Sequence, residues 1–358
     1  MRRRSFLLVL LLTTALLVGV PACGKSGSSS GSAIDDDAAP DDDDNDNDDA
    51  SPADDDQSPA DDDASPADDD TAPSWSAMTS GTTETLFGVW GTSPSDVVAV
   101  GMATILHYDG SVWTPMAVPS GDDDNDTSPL AAGQETLQAV WGDSSADVFA
   151  VGFETILHYD GSAWSAMALP IGTDSFTGVW GGSGSAVFAA AGGILRYDGS
   201  TWSPMTTPSD PPVDAIAIGG ISSADAFAVG MWGVLHYDGS EWSSMTTPGT
   251  PWLYAVWCNS ASDVFAAGVE GALLHYDGSA WSPMTIPTVA TAVNFAGVWG
   301  SSASDVFAVA DHGAILHYDG AAWAATACPA ADYYGVWGSS ASDVFAVAAD
   351  GVIVHYGP

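Results

Sequence analysis

The chain is 358 residues long and carries 47 acidic side chains against five Lys and Arg, a formal net charge of −42. Three of those cations are Arg2, Arg3 and Arg4, and the other two are Lys25 and Arg196. With no Lys or Arg cluster beyond the extreme N-terminus, nothing here could hold a polyanion, which excludes nucleic acid and acidic lipid headgroups as partners.

The first element is an export signal. Arg2, Arg3 and Arg4 precede an apolar run from Phe6 to Val20, too short for a bilayer span of about 20 residues. A small-residue end at Ala22 completes the pattern. Val20-Pro21-Ala22-Cys23 resembles the bacterial lipoprotein signal, in which the cysteine is acylated and becomes the first mature residue. The resemblance implies a signal over 1–22, a lipid on Cys23 and a place in the cell envelope, at the outer membrane on either its periplasmic or its outer side. Membrane contact would then run through the lipid alone. Val20 stands where Leu is commoner and Pro21 is unusual, so an ordinary secretory signal is the competing reading. Arg3-Arg4-Ser5-Phe6-Leu7 also resembles a twin-arginine motif, but the apolar core and the lack of a downstream Lys favour the general secretory route.

Residues 23–71 form the second element. Gly and Ser come first, then Asp runs, then Ser-Pro-Ala-Asp-Asp-Asp three times from Ser51, Ser58 and Ser65. Such a segment has almost no apolar surface to bury and is expected to be disordered. Its like charges and prolines make it an extended tether. Asp42-Asp43-Asp44-Asn45-Asp46-Asn47 offers oxygen ligands, yet it lacks the Gly and closing Glu of an EF-hand loop. Any Ca²⁺ uptake by the Asp-rich segments would be weak and diffuse, and no other cofactor is expected.

From residue 72 to 358 the chain repeats. His-Tyr-Asp-Gly begins at His107, His158, His236, His275 and His317, with variants at Arg196 and His355. The tyrosines fall at 108, 159, 197, 237, 276, 318 and 356, a period of about 40 residues that marks a β-propeller. Within one copy, Phe87 to Trp90 reads as a first strand and Ser93-Pro94-Ser95-Asp96 as a turn. Val97 to Val100 reads as a second strand, Thr104 to Tyr108 as a third, Asp109-Gly110 as a tight hairpin and Trp113 to Met116 as an outer strand. Strands of four to six residues with both faces apolar fit a blade packed between two others. The first-strand aromatic recurs as Trp141, Trp180, Trp257, Trp299 and Trp337, with Ile218 in the fourth copy. The seventh copy stops before its outer strand, and Trp75-Ser76-Ala77-Met78 matches the missing piece. The expectation is an all-β, seven-bladed propeller of four-stranded antiparallel blades, acting as a monomer, its ring closed by the N-terminal strand around Trp75.

Tyr276-Asp277-Gly278-Ser279-Ala280-Trp281 resembles a degenerate Asp-box, the hairpin of the sialidase-like BNR propellers. The resemblance covers the repeat region at the level of a repeat type and implies a fold, not an activity. Sialidases hold a carboxylate with three arginines, whereas the exported part of this chain has only Arg196. Glycoside hydrolysis needs a carboxylate pair across a sugar. Most aspartates here are periodic turn residues. The non-periodic acids Glu84, Glu135, Glu154, Glu270, Asp311 and Asp350 mark no pair. No G-x-S-x-G elbow is present. The repeat histidines come one per blade at one height and are expected to be structural, each bonded near the Asp that opens the second strand, rather than a metal cluster. The chain is therefore expected to be non-catalytic.

Strand direction puts the second-to-third turns and the blade-to-blade links on one face, and the hairpins on the other. The hairpins are nearly identical between copies, and the first face varies. Variable loops on an invariant frame are where binding is expected. That face carries Phe153, Trp232, Asp311 and His312 in turns, and Trp252, Tyr254, Tyr333 and Tyr334 in links. It also carries an acidic insertion, 121–134. Exposed aromatics there would suit a sugar ring or an envelope protein, unless several of them plug the central channel. The expectations are a lipid-anchored binding module, an envelope-assembly scaffold or, against the missing arginines, a glycoside-active enzyme. Cys258 and Cys328 fall on opposite faces and are not expected to be bonded. Labelled palmitate is expected to enter the wild-type chain and to be absent from Cys23→Ala; equal labelling of both would remove the lipid anchor.

Overall fold

The computed structural model describes residues 72–119, 136–170, 172, 175–210, 212–249 and 251–358. The export signal, Cys23, the tether with its Asp-rich stretches and the 121–134 insertion lie outside them. Among the described residues, 28 strands form seven four-stranded antiparallel sheets. Six blades take their strands in chain order, as Leu86–Ser93, Asp96–Gly101, Thr104–Tyr108 and Trp113–Pro115 do in blade 1. Blade 7 joins Tyr333–Ser340, Asp343–Ala348 and Ile353–Gly357 to Ser74–Met78. Ser74 pairs with Gly357, Trp75 with Tyr356 and Met78 with Ile353, so the ring closes through Trp75. The innermost strands are longer than the repeat suggested, reaching eight residues in blade 1, because pairing continues past a bulge as far as Ser93, which pairs with Asp96.

Each second strand is buried almost end to end, as Val97 to Gly101 is. It has a neighbour on both faces, which is why it reads as unbroken Val, Ala and Phe rather than as an alternation. Six of the seven blade-to-blade contacts are aromatic. Phe149 of blade 2 lies 5.8 Å from Tyr197 and 6.3 Å from Trp202 of blade 3. Phe188 meets Tyr237 and Trp242 of blade 4 in the same way, Phe227 meets Tyr276 and Trp281, and Phe345 of blade 7 meets Tyr108 and Trp113 of blade 1. At the closure Phe307 of blade 6 lies 5.3 Å from Tyr356 and 5.9 Å from Trp75. Burying one Phe contributes about 1.5–3 kcal/mol, and each aromatic pair adds about 0.5–1.5 kcal/mol.

The hairpins fix the Tyr and Trp of each slot. Asp109 Oδ1 accepts bonds from the Ser111 hydroxyl at 2.7 Å and from the Ser111 and Val112 N–H groups at 2.9 Å. Asp160, Asp198, Asp238 and Asp277 repeat the arrangement. These donors hold the carboxyls down, from 3.8 to about 2; the serine hydroxyl contributes most, except at Asp109, where the Val112 amide leads. Asp319 faces Ala321 in place of serine and keeps only the two amides. A depressed carboxyl stabilises the fold above its unfolded pKa, and that contribution is lost as pH falls from about 4 towards 2. Gly110 is required twice, since its φ is +91° and a Cβ there would lie 2.6 Å from Ser95 Cβ.

The repeat histidines bond directly to the second-strand aspartates. His107 Nε2 lies 2.7 Å from Asp96 Oδ1, and His158–Asp147, His236–Asp225, His275–Asp263, His317–Asp305 and His355–Asp343 match it at 2.6–2.8 Å. Blade 3 replaces both partners at once, with Ala186 and Arg196, and the guanidinium lies over the Phe188 ring at 5.8 Å. One sequence assignment is corrected. Gly219, not Ile218, pairs with Phe227, the ladder position that the first-strand tryptophans occupy elsewhere. In six interblade contacts that tryptophan abuts a glycine of the next blade; a Cβ on Gly142, for example, would come 2.5 Å from Trp90. Blade 4 supplies no indole, and the following blade carries Cys258 at the glycine position. Cys258 and Cys328 are both free, and burial pushes the Cys258 thiol up, helped by the charge of Asp225.

Deleting Ser74–Met78 removes Trp75 and leaves the Ile353–Gly357 edge of blade 7 unpaired. Losing the Trp side chain alone costs about 3–5 kcal/mol, so at about 2–4 °C per kcal/mol the melting temperature is expected to fall by about 10 °C or more. Deleting 35–70 should leave it unchanged. Equal melting curves for the first variant and the wild type would contradict closure through Trp75.

Candidate binding face

Two rings of residues shape the variable face. The outer ring is the second-to-third turn, and its apex residue has positive φ in every blade: Ala103, Glu154, Gly192, Trp232, Glu270, His312 and Asp350. Six of these are not glycine. A non-glycine residue costs energy in that conformation, so the turns hold their apex side chains out against a local penalty. Blades 5 to 7 have one more residue in the turn than blades 1, 2 and 4, and these turns coil into short 3₁₀ segments at Val269–Gly271, Asp311–Gly313 and Ala349–Gly351.

The inner ring comes from the innermost strands. The ladder skips one residue near the start of six of them, leaving Phe87, Gln138, Ile216, Tyr254, Ala296 and Tyr334 as bulge residues. Bulges commonly re-aim a side chain beside a functional site. Here they gather at the variable-face end of the central channel, where Phe87 and Tyr334 of adjacent blades touch at 5.2 Å. Thr177 stands at the equivalent place in blade 3, and its hydroxyl donates to the Ile216 carbonyl at 2.7 Å.

A continuous arc joins blades 4 to 7. Trp232 and Trp252 meet edge to face with ring centres 6.2 Å apart. Val269 N–H donates to the Trp252 carbonyl, and Glu270 N–H donates to Asn294 Oδ1 at 3.2 Å. Asn294 in turn donates its backbone N–H and its Nδ2 to the Asp311 carboxylate, at 3.0 and 2.8 Å. His312 N–H donates to Asp332 Oδ1 at 2.7 Å, and Ala349 N–H to the Asp332 carbonyl. In blades 4 to 6 the turn apex thus seats on the link residue of the next blade. In blades 5 and 6 that seat is a hydrogen bond to Asn294 or Asp332, and in blade 4 it is the Trp232–Trp252 contact.

The sequence candidates now separate. Trp232 is 49% exposed, and so is Phe153 in blade 2; Trp252 is half-buried beneath Trp232. Tyr254 and Tyr334 are half-buried at the channel mouth, and their hydroxyl pKa values are raised by burial first and then by nearby carboxylates, Asp311 for Tyr254 and Asp332, Asp311 and Asp350 for Tyr334. Tyr333 was a binding candidate and is corrected: it is wholly buried, and its hydroxyl donates to the Pro329 carbonyl. It belongs to the core between blades 6 and 7, since alternation turns adjacent tyrosines to opposite sides. His312 is 72% exposed, with Nδ1 2.9 Å from Asp311 Oδ1. That bond raises its pKa, desolvation opposes the rise, and the charges of Asp311 and Asp332 reinforce it. Sequence reasoning misses Asn294 and Asp332, and notes Glu270 and Asp350 only as non-periodic acids. Counting back from the Asp that opens each second strand would have aligned Trp252, Asn294 and Asp332.

Among the described residues no three His, Cys, Asp or Glu side chains are grouped to hold a metal. The face offers carboxylates and aromatic rings, and the only Lys or Arg in the described part, Arg196, sits at the hairpin end of its blade. A cleft of about 470 Å³ lies on that opposite face, between the Asp147–His158 pair and Gly184.

No family model and no curated protein matches the sequence. Solved structures match in fold. The chain is similar to YCF48 in a structure described as bound to D1 peptide, with 16% identity and a TM-score of 0.63 over 79% of this chain and 97% of that one. It is similar to a catalytically inactive virginiamycin B lyase from Staphylococcus aureus with quinupristin, with 10% identity and a TM-score of 0.66 over 80% and 99%. It is also similar to the WD40 propeller domain of Doa1, with 10% identity and a TM-score of 0.65 over 80% and 97%. At these identities the likeness is one of fold.

Asp311→Asn is expected to return the His312 titration towards its ordinary 6.5, followed by the imidazole proton shifts across pH. The sign follows from the raised value: the pair favours the folded state below about pH 6.5 and ceases to do so as pH rises through the folded pKa. An unchanged midpoint would show that Asp311 does not hold the imidazolium.

Proposed function

We propose that this chain is an exported, lipid-anchored, non-catalytic propeller whose variable face binds a protein or peptide. The observation that carries the reading is the Trp232–Trp252 pair. At the equivalent turn-to-link seats in blades 5 and 6 the fold makes do with a hydrogen bond, and among 15 tryptophans these two stand outside the repeat. A half-exposed indole over a second indole is the kind of anchor that dominates protein interfaces. The likeness to a propeller solved with a bound peptide supports a peptide or protein ligand over a small substrate. The lipid anchor rests on the signal around Cys23, and the place in the envelope rests on that anchor. The absence of an arginine triad and of a marked carboxylate pair in the sequence favours binding over catalysis.

The test is a Trp232→Ala, Trp252→Ala double variant against a partner captured from envelope extract by the wild-type chain. Loss of a central Trp costs about 2 kcal/mol or more, so affinity is expected to fall by about 30-fold while the melting temperature changes little. Asp277→Ala, on the hairpin face, serves as a comparison that perturbs the frame but not the site. Normal binding by the double variant, or loss only through unfolding, would remove the variable face as the site.

A further inference from the structure

The variable face is not uniform around the ring. The arc from Trp232 to Asp350 starts with two indoles and ends with carboxylates at Glu270, Asp311, Asp332 and Asp350, with the rings of Tyr254 and Tyr334 at the inner edge. Glu270 and Asp350 are exposed at turn apices and carry no side-chain hydrogen bond among the described residues. Asp311 is tied to Asn294 and His312, so it is positioned rather than freely mobile. The basic side chain beside these carboxylates is His312, and among the described residues no Lys or Arg lies on the face. Four carboxylates on one arc repel one another, and nothing in the fold neutralises them apart from one histidine.

From this juxtaposition we infer that the partner is a basic segment of another protein, one that sets an apolar side chain on the Trp232–Trp252 pair and lays Lys or Arg along the carboxylates of blades 5 to 7. This rests on the variable face being the binding face and adds the partner's chemistry. Charge complementarity selects this occupant. The chain's own tether is Asp-rich and would be repelled, and so would a second copy of a chain with net charge −42. The tyrosine rings suit the same cation, because Lys and especially Arg are attracted to aromatic faces. Complementary charge of this kind acts mainly on encounter rate and partner choice and weakens with salt, whereas the indole pair supplies an anchor that salt does not screen.

Three synthetic peptides of equal length serve as probes, each built around one leucine with flanking residues that are all Lys and Arg, all Gln, or all Glu. They are titrated into the full chain by fluorescence anisotropy at low and at high salt. The basic peptide is expected to bind tightest at low salt and to lose about tenfold or more on raising the salt, and the acidic peptide is expected not to bind. The fold-neutral variant Glu270→Gln with Asp350→Asn should weaken the basic peptide about three- to tenfold and leave the Gln peptide unchanged. Adding Asp311→Asn and Asp332→Asn, which keep an acceptor oxygen, should deepen that loss. If the Gln or Glu peptide binds as well as the basic one, or the carboxylate variants bind the basic peptide normally, the inference is overturned. The binding-face reading then still stands provided Trp232→Ala with Trp252→Ala removes that binding. Binding that persists in the tryptophan variant, or no binding by any peptide, overturns both.

Discussion

The aromatic slot between blades carries the architecture. A single four-stranded blade has two apolar faces and no means of covering either, so it is stable only as part of a ring. The slot is where covering happens: a Phe from one second strand enters between the Tyr and Trp of the next blade. The remainder of the repeat positions those three rings. The aspartate hairpin sets the Tyr-to-Trp spacing, the His–Asp pair fixes the end of the third strand against the second, and glycine leaves room for the neighbouring indole. Because these devices serve one contact, they recur together, and in blade 3 the His and the Asp of the pair are replaced in the same blade. Blade 1 has Val98 where other blades carry Phe, and its neighbour's Trp164 packs on aliphatic side chains instead.

Once the slots are satisfied, the opposite end of each blade is released from packing duty. The hairpin end is held by buried rings and charge-assisted bonds and varies little. The turn end needs only one residue that tolerates a left-handed backbone and one link residue on which to seat it. Ala, Glu, Gly, Trp, His and Asp all serve as the apex. That latitude lets one arc become aromatic and then acidic without disturbing the ring, and it is the physical sense in which the frame and the binding surface are separate inheritances of one repeat.

The frame was legible in the sequence because its constraints repeat. Tyrosine spacing gave the blade number, and the orphan Trp75 gave the closure. Legibility failed where one residue of register mattered. In blade 4 the run Ala217-Ile218-Gly219-Gly220 invites alignment of like with like, which selects Ile218, whereas the ladder counts back from Asp225 and selects Gly219. Tyr333 and Tyr334 are identical in type and adjacent in sequence, so composition could not separate a core residue from a mouth residue; the bulge between Tyr333 and Gly335 does. In the arc Asp311 was a sequence candidate, whereas the roles of Asn294 and Asp332 were missed for a different reason. The arc's bonds join turns to links within a blade and between neighbouring blades, and most of them use backbone N–H donors, which leave no residue-type signature.

The closing strand has a consequence for the order of events during synthesis. Ser76 bonds to a residue 279 positions later, so the first strand of the ring to be made is the last to find its partner. While the intervening blades form, Trp75 has no slot to occupy, and the apolar face of the first complete blade has no seventh blade to cover it. Contacts of such long separation are slow to close, and uncovered edges in that interval invite pairing between chains. A strand of only five residues, next to a long run of aspartates, is a poor template for such pairing. Short length and adjacent charge therefore disfavour such pairing while the C-terminal strand is still to come.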